Sequence, residues 1–245
     1  MGTAAVGDVR AAANRGLQAV QAGRSDLASQ HFSKALDQAE DLADARTRRD
    51  ELAALSILFD ESGFPDLALT AAEDSVALDR ELGLDDLVHE DLLNVGTAHL
   101  NLNNDAKAET SFREALQEAL ARTQWANAAS ASTNLGNVFA KRNDMRRAFE
   151  AYEKSLEYLG KEAFDNTEIN TRLMLLQTSV IGEYDVDRTI DNARTLYQRF
   201  WKDLQDGHRQ AATTFIEQAV ERYLAVHQPG DPQAWKAKTF PAIFG

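Results

Sequence analysis

A pattern of small and large residues recurs every forty residues over most of this chain. Five positions of the repeat stay in phase through four copies. These columns are Gly16, Ser56, Gly96 and Gly136; Ala28, Ala68, Ala108 and Ala148; Phe32, Ala72, Phe112 and Tyr152; Ala35, Ser75, Ala115 and Ser155; and Leu36, Val76, Leu116 and Leu156. A repeat of this length indicates a supersecondary unit that buries its apolar face by stacking on its neighbours.

Each copy of the repeat is predicted to form two antiparallel helices. In the fourth copy, Leu135, Gly136 and Phe139 share one face of a first helix, because spacings of three and four return to the same side. Ala148 and Tyr152 share one face of the second helix in the same way. A small residue on each helix lets the two backbones approach closely, and the large residues fill the remaining space.

Polar turns separate the two helices of each copy. In the fourth copy we expect Asn143 to take a left-handed conformation and Asp144 to cap the second helix. Gly23, Gly63 and Asn103 occupy the position equivalent to Asn143. Only 4 of the 245 residues are Pro, which favours long helices.

The fourth copy resembles the tetratricopeptide repeat (TPR). The matching residues are the stretch 134–139, Asn-Leu-Gly-Asn-Val-Phe, followed by Asp144, Ala148, Tyr152, Ser155 and Leu156. The copy that contains Gly96 and Phe112 is a second good match, and the copies around Ser56 and Gly16 are weaker but in phase. The resemblance covers roughly residues 9–205.

The resemblance implies an all-α fold, a right-handed α-solenoid of about five TPR-like helical hairpins with a C-terminal capping helix. Forty residues is longer than the usual repeat of about 34, as in the longer-repeat members of the superfamily. A fifth copy keeps its first helix around Leu176, but Arg188 and Asn192 stand where the family has Ala and an aromatic residue. We therefore expect the fifth second helix to pack differently.

These signals predict the domain organisation of the chain. It comprises an N-terminal extension at 1–8, repeats at 9–48, 49–88, 89–128, 129–168 and 169–207, a capping helix at 208–227 and a tail at 228–245.

The tail is aromatic and basic, with Trp235, Phe240 and Phe244 beside Lys236 and Lys238. One interpretation is that it packs on the last helices and covers them. Another is a short linear motif bound by another protein or by a neighbouring copy, in which case the chain would self-associate through the tail. A third interpretation is disorder.

In TPR proteins the first helices line the concave side, so the resemblance implies a partner-binding groove there. The candidate residues are Leu93, Asn94, Thr97, Leu100, Asn101, Thr133, Asn134, Asn137, Lys141, Leu173, Met174 and Gln177. The carboxamides of Asn94 and Asn134 could grip a peptide backbone with both a donor and an acceptor; the alternative is that they are solvated or bond the adjacent repeat. Acidic residues on the same predicted side favour a basic or a hydroxyl-rich ligand; they are Asp50, Asp60, Glu61 and Glu90.

Composition and motifs exclude several classes of function. The net charge of -13 argues against a nucleic-acid partner, because phosphates are held by clustered Lys and Arg. No apolar window reaches 18 residues, so no membrane association is expected. The absence of Cys fits a reducing compartment and predicts a cytoplasmic location. No metal-type His spacing, phosphate-binding loop or nucleophile motif occurs, so we expect no catalytic residue, metal or cofactor.

The sequence thus predicts a non-catalytic protein–protein interaction scaffold or adaptor, which holds a peptide segment or a partner protein in its groove. Two alternatives remain open at this point. One is a peptide-responsive regulatory protein, and the other is an accessory subunit of an enzyme complex.

Overall fold

The computed structural model describes residues 4–160 and 165–245, and α-helices joined by short turns make up nearly all of them. The helices are α1 Val6–Gln21, α2 Ser25–Glu40, α3 Ala45–Glu61, α4 Pro65–Leu82, α5 Asp85–Asn101, α6 Asp105–Ala121, α7 Trp125–Lys141, α8 Met145–Leu159, α9 Asp165–Ile181, α10 Val186–Thr195, α11 Asp206–His227, α12 Pro232–Thr239 and α13 Pro241–Phe244. A π-helical turn, Leu196–Phe200, follows α10. Among the described residues, no helix combines the length and apolar character needed to cross a membrane.

Successive helices pack as hairpins, with α1 on α2, α3 on α4 and α5 on α6. The turns place one residue in the left-handed region, where Gly and Asn are tolerated best. It is Gly23, Gly63, Asn103 or Asn143 in the first four hairpins. Asp144 accepts a hydrogen bond from the Arg147 backbone N at 3.2 Å, so the predicted turn and cap of α8 are confirmed.

The columns of the repeat are explained by close contacts between a glycine and an aromatic ring. A Cβ atom added to Gly16 would fall on the ring of Phe32, and one added to Gly136 would fall on the ring of Tyr152. Gly96 meets Phe112 in the same way. The missing side chain on the first helix therefore makes the space that the aromatic ring of the second helix fills.

Two compact units divide the chain, Met1–Ala131 (unit 1) and Ser132–Gly245 (unit 2). The core of unit 1 includes Phe32 and Phe59, whose ring centroids are 5.0 Å apart. The core of unit 2 gathers side chains from α9, α10, the π-helical turn and α11.

The fifth hairpin differs from the sequence-based alignment by one residue. Its turn between α9 and α10 has four residues, 182–185, whereas the turn between α5 and α6 has three, 102–104. The extra residue shifts α10, so buried Thr189 and Ala193 take the places that were assigned to Arg188 and Asn192. Leu176, fully buried where the other copies have a small residue, lies in the same core cluster as Ala193. In this hairpin the large residue therefore lies on the first helix, α9, and the small residue lies on the second helix, α10.

The tail forms α12 and α13 and packs within unit 2. The Trp235 ring stacks on Tyr223 with centroids 4.8 Å apart, Phe240 is fully buried, and the Ala242 backbone N donates to the Tyr197 hydroxyl at 2.5 Å. The tail thus packs on the last helices, as the first interpretation expects, and the buried Phe240 side chain is not exposed to a partner.

Candidate functional site

Polar and apolar side chains that are exposed or half-buried lie along the first helices of unit 1. We call this set the first-helix face: Arg10, Asn14, Leu17, Asp50, Ile57, Asp60, Glu61, Glu90, Leu93, Asn94, Thr97, Leu100 and Asn101, from α1, α3 and α5. Two polar contacts tie the helices together along this face. Arg10 Nε donates to Glu51 Oε1 at 3.1 Å between α1 and α3, and Asn101 Nδ2 donates to Asp60 Oδ1 at 2.7 Å between α3 and α5.

The face carries an exposed aliphatic side chain at its centre. Ile57 lies one helical turn before Asp60 and is 48% exposed, which is high for a large apolar residue. Thr97 lies one turn before Asn101, so the Asp60–Asn101 hydrogen bond places Ile57 and Thr97 on the same side of the α3–α5 pair.

Asn94 offers an unused carboxamide beside these residues. It is half-buried on α5, and no side-chain hydrogen bond links it to another described residue. Thr97, by contrast, donates its hydroxyl to the Leu93 carbonyl within α5 at 2.9 Å. Leu93 and Leu100 are half-buried. Asn94 is therefore one of the polar groups of this face that can bond a ligand.

The charge of the protein is concentrated in unit 1. Met1–Ala131 holds 11 Lys and Arg against 23 Asp and Glu, a net charge of -12, whereas Ser132–Gly245 holds 15 against 16, a net charge of -1. Asp50, Glu61 and Glu90 on the first-helix face are exposed. Unit 1 therefore attracts cations and repels anions.

In unit 2, three of the predicted groove residues are used inside the fold. The Thr133 hydroxyl is bonded to the hydroxyls of Ser155 at 2.8 Å and Thr171 at 3.0 Å. Asn137 Oδ1 accepts from the Tyr152 hydroxyl at 2.8 Å. Leu173 is only 5% exposed and belongs to the core. This burial does not agree with the expectation that Leu173 lines an open groove, because its side chain packs in the core cluster of unit 2.

The other predicted residues of unit 2 remain accessible. Asn134, Met174 and Gln177 are half-buried and Lys141 is exposed. Asn134 Oδ1 accepts a hydrogen bond from Asn137 Nδ2 at a long distance of 3.5 Å. Binding at these positions stays a prediction.

A buried charge network, which the sequence analysis missed, fixes α3, α4 and α5 of unit 1 relative to one another. Arg49 Nε donates to Asp79 Oδ1 at 2.6 Å and Arg49 Nη2 donates to Asp91 Oδ2 at 2.8 Å. The Ser75 hydroxyl also donates to Asp91. All four residues are less than 10% exposed. Ser75 occupies a repeat position that holds Ala or Ser in the first four copies. A hydroxyl group at such a position was the sequence feature that indicated a buried polar site.

The network contains two carboxylates for one guanidinium group. Burial raises the pKa of Asp91 to about 7, and the bonds from Ser75 and Arg49 only partly oppose this effect. Within the described parts of the chain, no group of three or more His, Cys, Asp or Glu side chains is arranged to hold a metal ion.

Comparison with known proteins gives matches of fold alone. No protein-family model and no curated protein sequence matches this chain. Among solved structures, aspartyl phosphate phosphatase F from Bacillus subtilis superposes with a TM-score of 0.70 at 11% identity, over 95% of this chain and 64% of that one. This chain therefore spans less than two thirds of the length of that phosphatase.

Two further structures share the fold. A Rap protein complexed with Competence and Sporulation Factor has a TM-score of 0.57 at 14% identity, covering 97% of this chain and 71% of the other. A kinesin light chain with nearly identical TPR-like repeats from Podosopora anserina has a TM-score of 0.53 at 12% identity, covering 90% and 97%. With its helices in successive packed pairs, this chain has the all-α fold of TPR-like helical-hairpin proteins.

Proposed function

We propose that the first-helix face of unit 1 binds an extended segment of a partner protein that carries Lys or Arg, and that the chain acts as a non-catalytic scaffold or adaptor. The observation that carries the proposal is the exposed Ile57 beside the open carboxamide of Asn94, within a unit of net charge -12. Each of these features supplies a different part of peptide recognition.

The negative charge of unit 1 favours a basic partner and raises the rate of association. Exposed carboxylates attract a basic segment over several ångströms, and the attraction acts mainly on the association rate and on specificity. Asp50 and Asp60 are partly engaged by Arg46 and Asn101, whereas Glu61 makes no ion pair with a described residue. Glu61 is thus a direct partner for an incoming Lys or Arg.

Ile57 and Asn94 would supply the contacts that hold the segment. Covering the exposed part of an isoleucine is worth about 1–2 kcal/mol at about 25 cal/mol per Å2. A carboxamide can donate to one peptide carbonyl and accept from one peptide N–H, so it binds a backbone of any sequence. The fold is compatible with a bound partner, since one Rap protein of this fold forms a complex with Competence and Sporulation Factor.

The proposal is tested by selecting binders from a random library of peptides and measuring their affinity by fluorescence anisotropy. We expect the selected peptides to be enriched in Lys and Arg. Ile57→Ser should weaken their binding about tenfold, and Asn94→Ala should weaken it about threefold to tenfold.

Ile181→Ser is the matched control, because Ile181 is 51% exposed but lies on α9 in unit 2. It should leave the affinity unchanged. Selected peptides without a basic bias, or peptides that bind Ile57→Ser and Asn94→Ala as tightly as the unchanged protein, would refute the proposal.

Cytoplasmic location and the absence of a cofactor stay predictions. A peptide-responsive regulator would use the same face, but its signature would be a change in the affinity of a second partner when the peptide binds.

A further inference from the structure

A crevice of about 580 Å3 lies between the second helices α4 and α6 of unit 1. Helix α5 forms its floor with the apolar side chains of Leu92 and Val95, and Val76 on α4 adds to that floor. The volume lies within the range of about 300–1,000 Å3 that small-ligand sites occupy. None of the residues predicted to bind a partner lines this crevice.

The rim of the crevice carries two acids and two bases in a crossed arrangement. Glu73 and Arg80 stand two turns apart on α4, and Lys107 and Glu114 stand two turns apart on α6. At one end, Arg80 and Glu114 bond each other across the crevice. At the other end, neither Glu73 nor Lys107 forms an ion pair with a described residue.

Unit 2 contains the equivalent crevice, lined by α8, α9 and α10, and provides a comparison within the same chain. Glu153 lies two repeats after Glu73, and Arg188 corresponds to Lys107 once the longer turn before α10 is counted. There the acid and the base form an ion pair at 2.6 Å. The acid and the base at these positions form an ion pair in unit 2, whereas Glu73 and Lys107 in unit 1 do not.

His99 adds a polar group at the base of the unit 1 crevice. It is only 5% exposed, lines the crevice and has an Nδ1 atom without a hydrogen-bond partner in the described structure. Burial lowers the pKa of His99 and the charge of Lys107 lowers it further, whereas the charge of Glu73 partly opposes both effects. An unsatisfied buried nitrogen is costly, and it makes the base of the crevice polar.

From this arrangement we infer that the α4–α6 crevice binds a small zwitterion with an apolar side chain, either an apolar α-amino acid or a short peptide. The ammonium group of the ligand pairs with Glu73 and its carboxylate pairs with Lys107. The apolar side chain covers Val76, Leu92 and Val95. This inference is independent of the proposed function, because it uses other residues of unit 1.

The test uses saturation-transfer NMR and calorimetry on the full chain, with leucine, leucyl-leucine, leucinamide, N-acetylleucine and glycine as probes. Leucine or leucyl-leucine should bind, and the stronger of the two identifies the source of the zwitterion. Glycine should not bind, because it lacks the apolar side chain. Leucinamide and N-acetylleucine each lose one charge and should bind at least about fivefold more weakly.

Variants assign each charge to its residue. Glu73→Gln should weaken leucine and leucinamide but not N-acetylleucine, and Lys107→Met should weaken leucine and N-acetylleucine but not leucinamide. Ala77→Phe, at an exposed position on the crevice wall, should abolish binding by filling the space. Glu153→Gln in unit 2 is the matched control and should change nothing.

Failure of all five probes to bind at millimolar concentration would overturn the inference, as would binding of glycine equal to that of leucine. Binding that survives Ala77→Phe would place the probes elsewhere and overturn it as well. None of these results bears on the peptides selected against the first-helix face, whose binding is followed with the Ile57 and Asn94 variants.

Discussion

At the scale of single residues, glycine on a first helix sets how closely the two helices of a hairpin approach. Gly16→Ala should lower the free energy of unfolding by about 1–3 kcal/mol, because the new methyl group would overlap the ring of fully buried Phe32. Phe32 cannot move freely, since its ring also contacts Phe59 and Phe64 at centroid distances of 5.0 and 5.1 Å. Urea unfolding followed by circular dichroism measures the change.

Gly7→Ala on the same helix is the control. A Cβ atom at Gly7 meets nothing within 4 Å. Alanine there should therefore leave stability unchanged or raise it by up to about 1 kcal/mol, since alanine favours the helix. Equal effects of the two substitutions would contradict the role assigned to Gly16.

The network of Arg49, Asp79 and Asp91 predicts how stability depends on pH. The pKa of Asp91 is raised from 3.8 to about 7 in the folded chain, so the folded chain holds this proton more tightly than the unfolded chain does. The free energy of unfolding should therefore fall as pH rises from about 4 to about 7, by on the order of 2–4 kcal/mol from this group. Urea unfolding at a series of pH values measures the decline.

Asp91→Asn should remove most of that decline and make the protein more stable than the unchanged chain at pH 8. Asp50→Asn is the control, since it removes an exposed carboxylate 3.5 Å from the same Arg49. A decline that persists unchanged in Asp91→Asn would show that other groups cause it.

The sequence predicted the conformation of residues that depends on a few adjacent residues. It did not predict the burial of residues that depends on tertiary packing. Asn143 and Asp144 follow from turn and cap chemistry within a few residues. Leu173 and Thr133 stand at positions where the repeat predicts an open groove, yet their surroundings depend on which residues of unit 2 pack over them. The repeat pattern carries no information about that neighbourhood.

At the scale of helices, the forty-residue period predicted the hairpins, and departures from it had local causes. The period holds because each hairpin repeats the same pair of contacts, such as Gly136 with Tyr152. The forty-residue spacing assigned the wrong residues to the buried positions of α10, because the turn before α10 has one extra residue. The forty-residue repeat does not extend to α12 and α13. Their packing depends on aromatic contacts, and the composition of the tail does not predict which rings meet.

The tail should contribute strongly to the stability of unit 2. Phe240→Ala should cost about 3–5 kcal/mol, the usual range for a buried Phe, because Phe240 is fully buried and contacts Tyr197 at a centroid distance of 5.3 Å. Thermal melting followed by tryptophan fluorescence measures the loss. Val226→Ala, at a side chain that is 64% exposed, is the control and should be neutral.

Truncation after Gln228 distinguishes a structural tail from a detachable one. We expect the truncated chain to melt at a lower temperature and to aggregate in light scattering, since Tyr223 and Tyr197 lose their contacts with the tail. A truncated chain that stays a stable monomer and binds a synthetic tail peptide would instead support the interpretation of the tail as a binding motif.

At the scale of the whole molecule, the acidic charge is distributed unevenly along the sequence, and this distribution predicts where a basic ligand binds. An octa-arginine peptide added to isotope-labelled protein should shift backbone NMR signals in α1–α6 much more than those in α8–α11, because unit 1 carries -12 and unit 2 carries -1. The apparent Kd should rise at least about tenfold between 0.05 and 0.5 M salt, since the screening length falls from about 14 to about 4 Å. Octa-glutamate is the control and should cause no shifts. Octa-arginine shifts spread equally over both units, or retained at high salt, would show that net charge does not direct binding and would remove the electrostatic support for a basic partner.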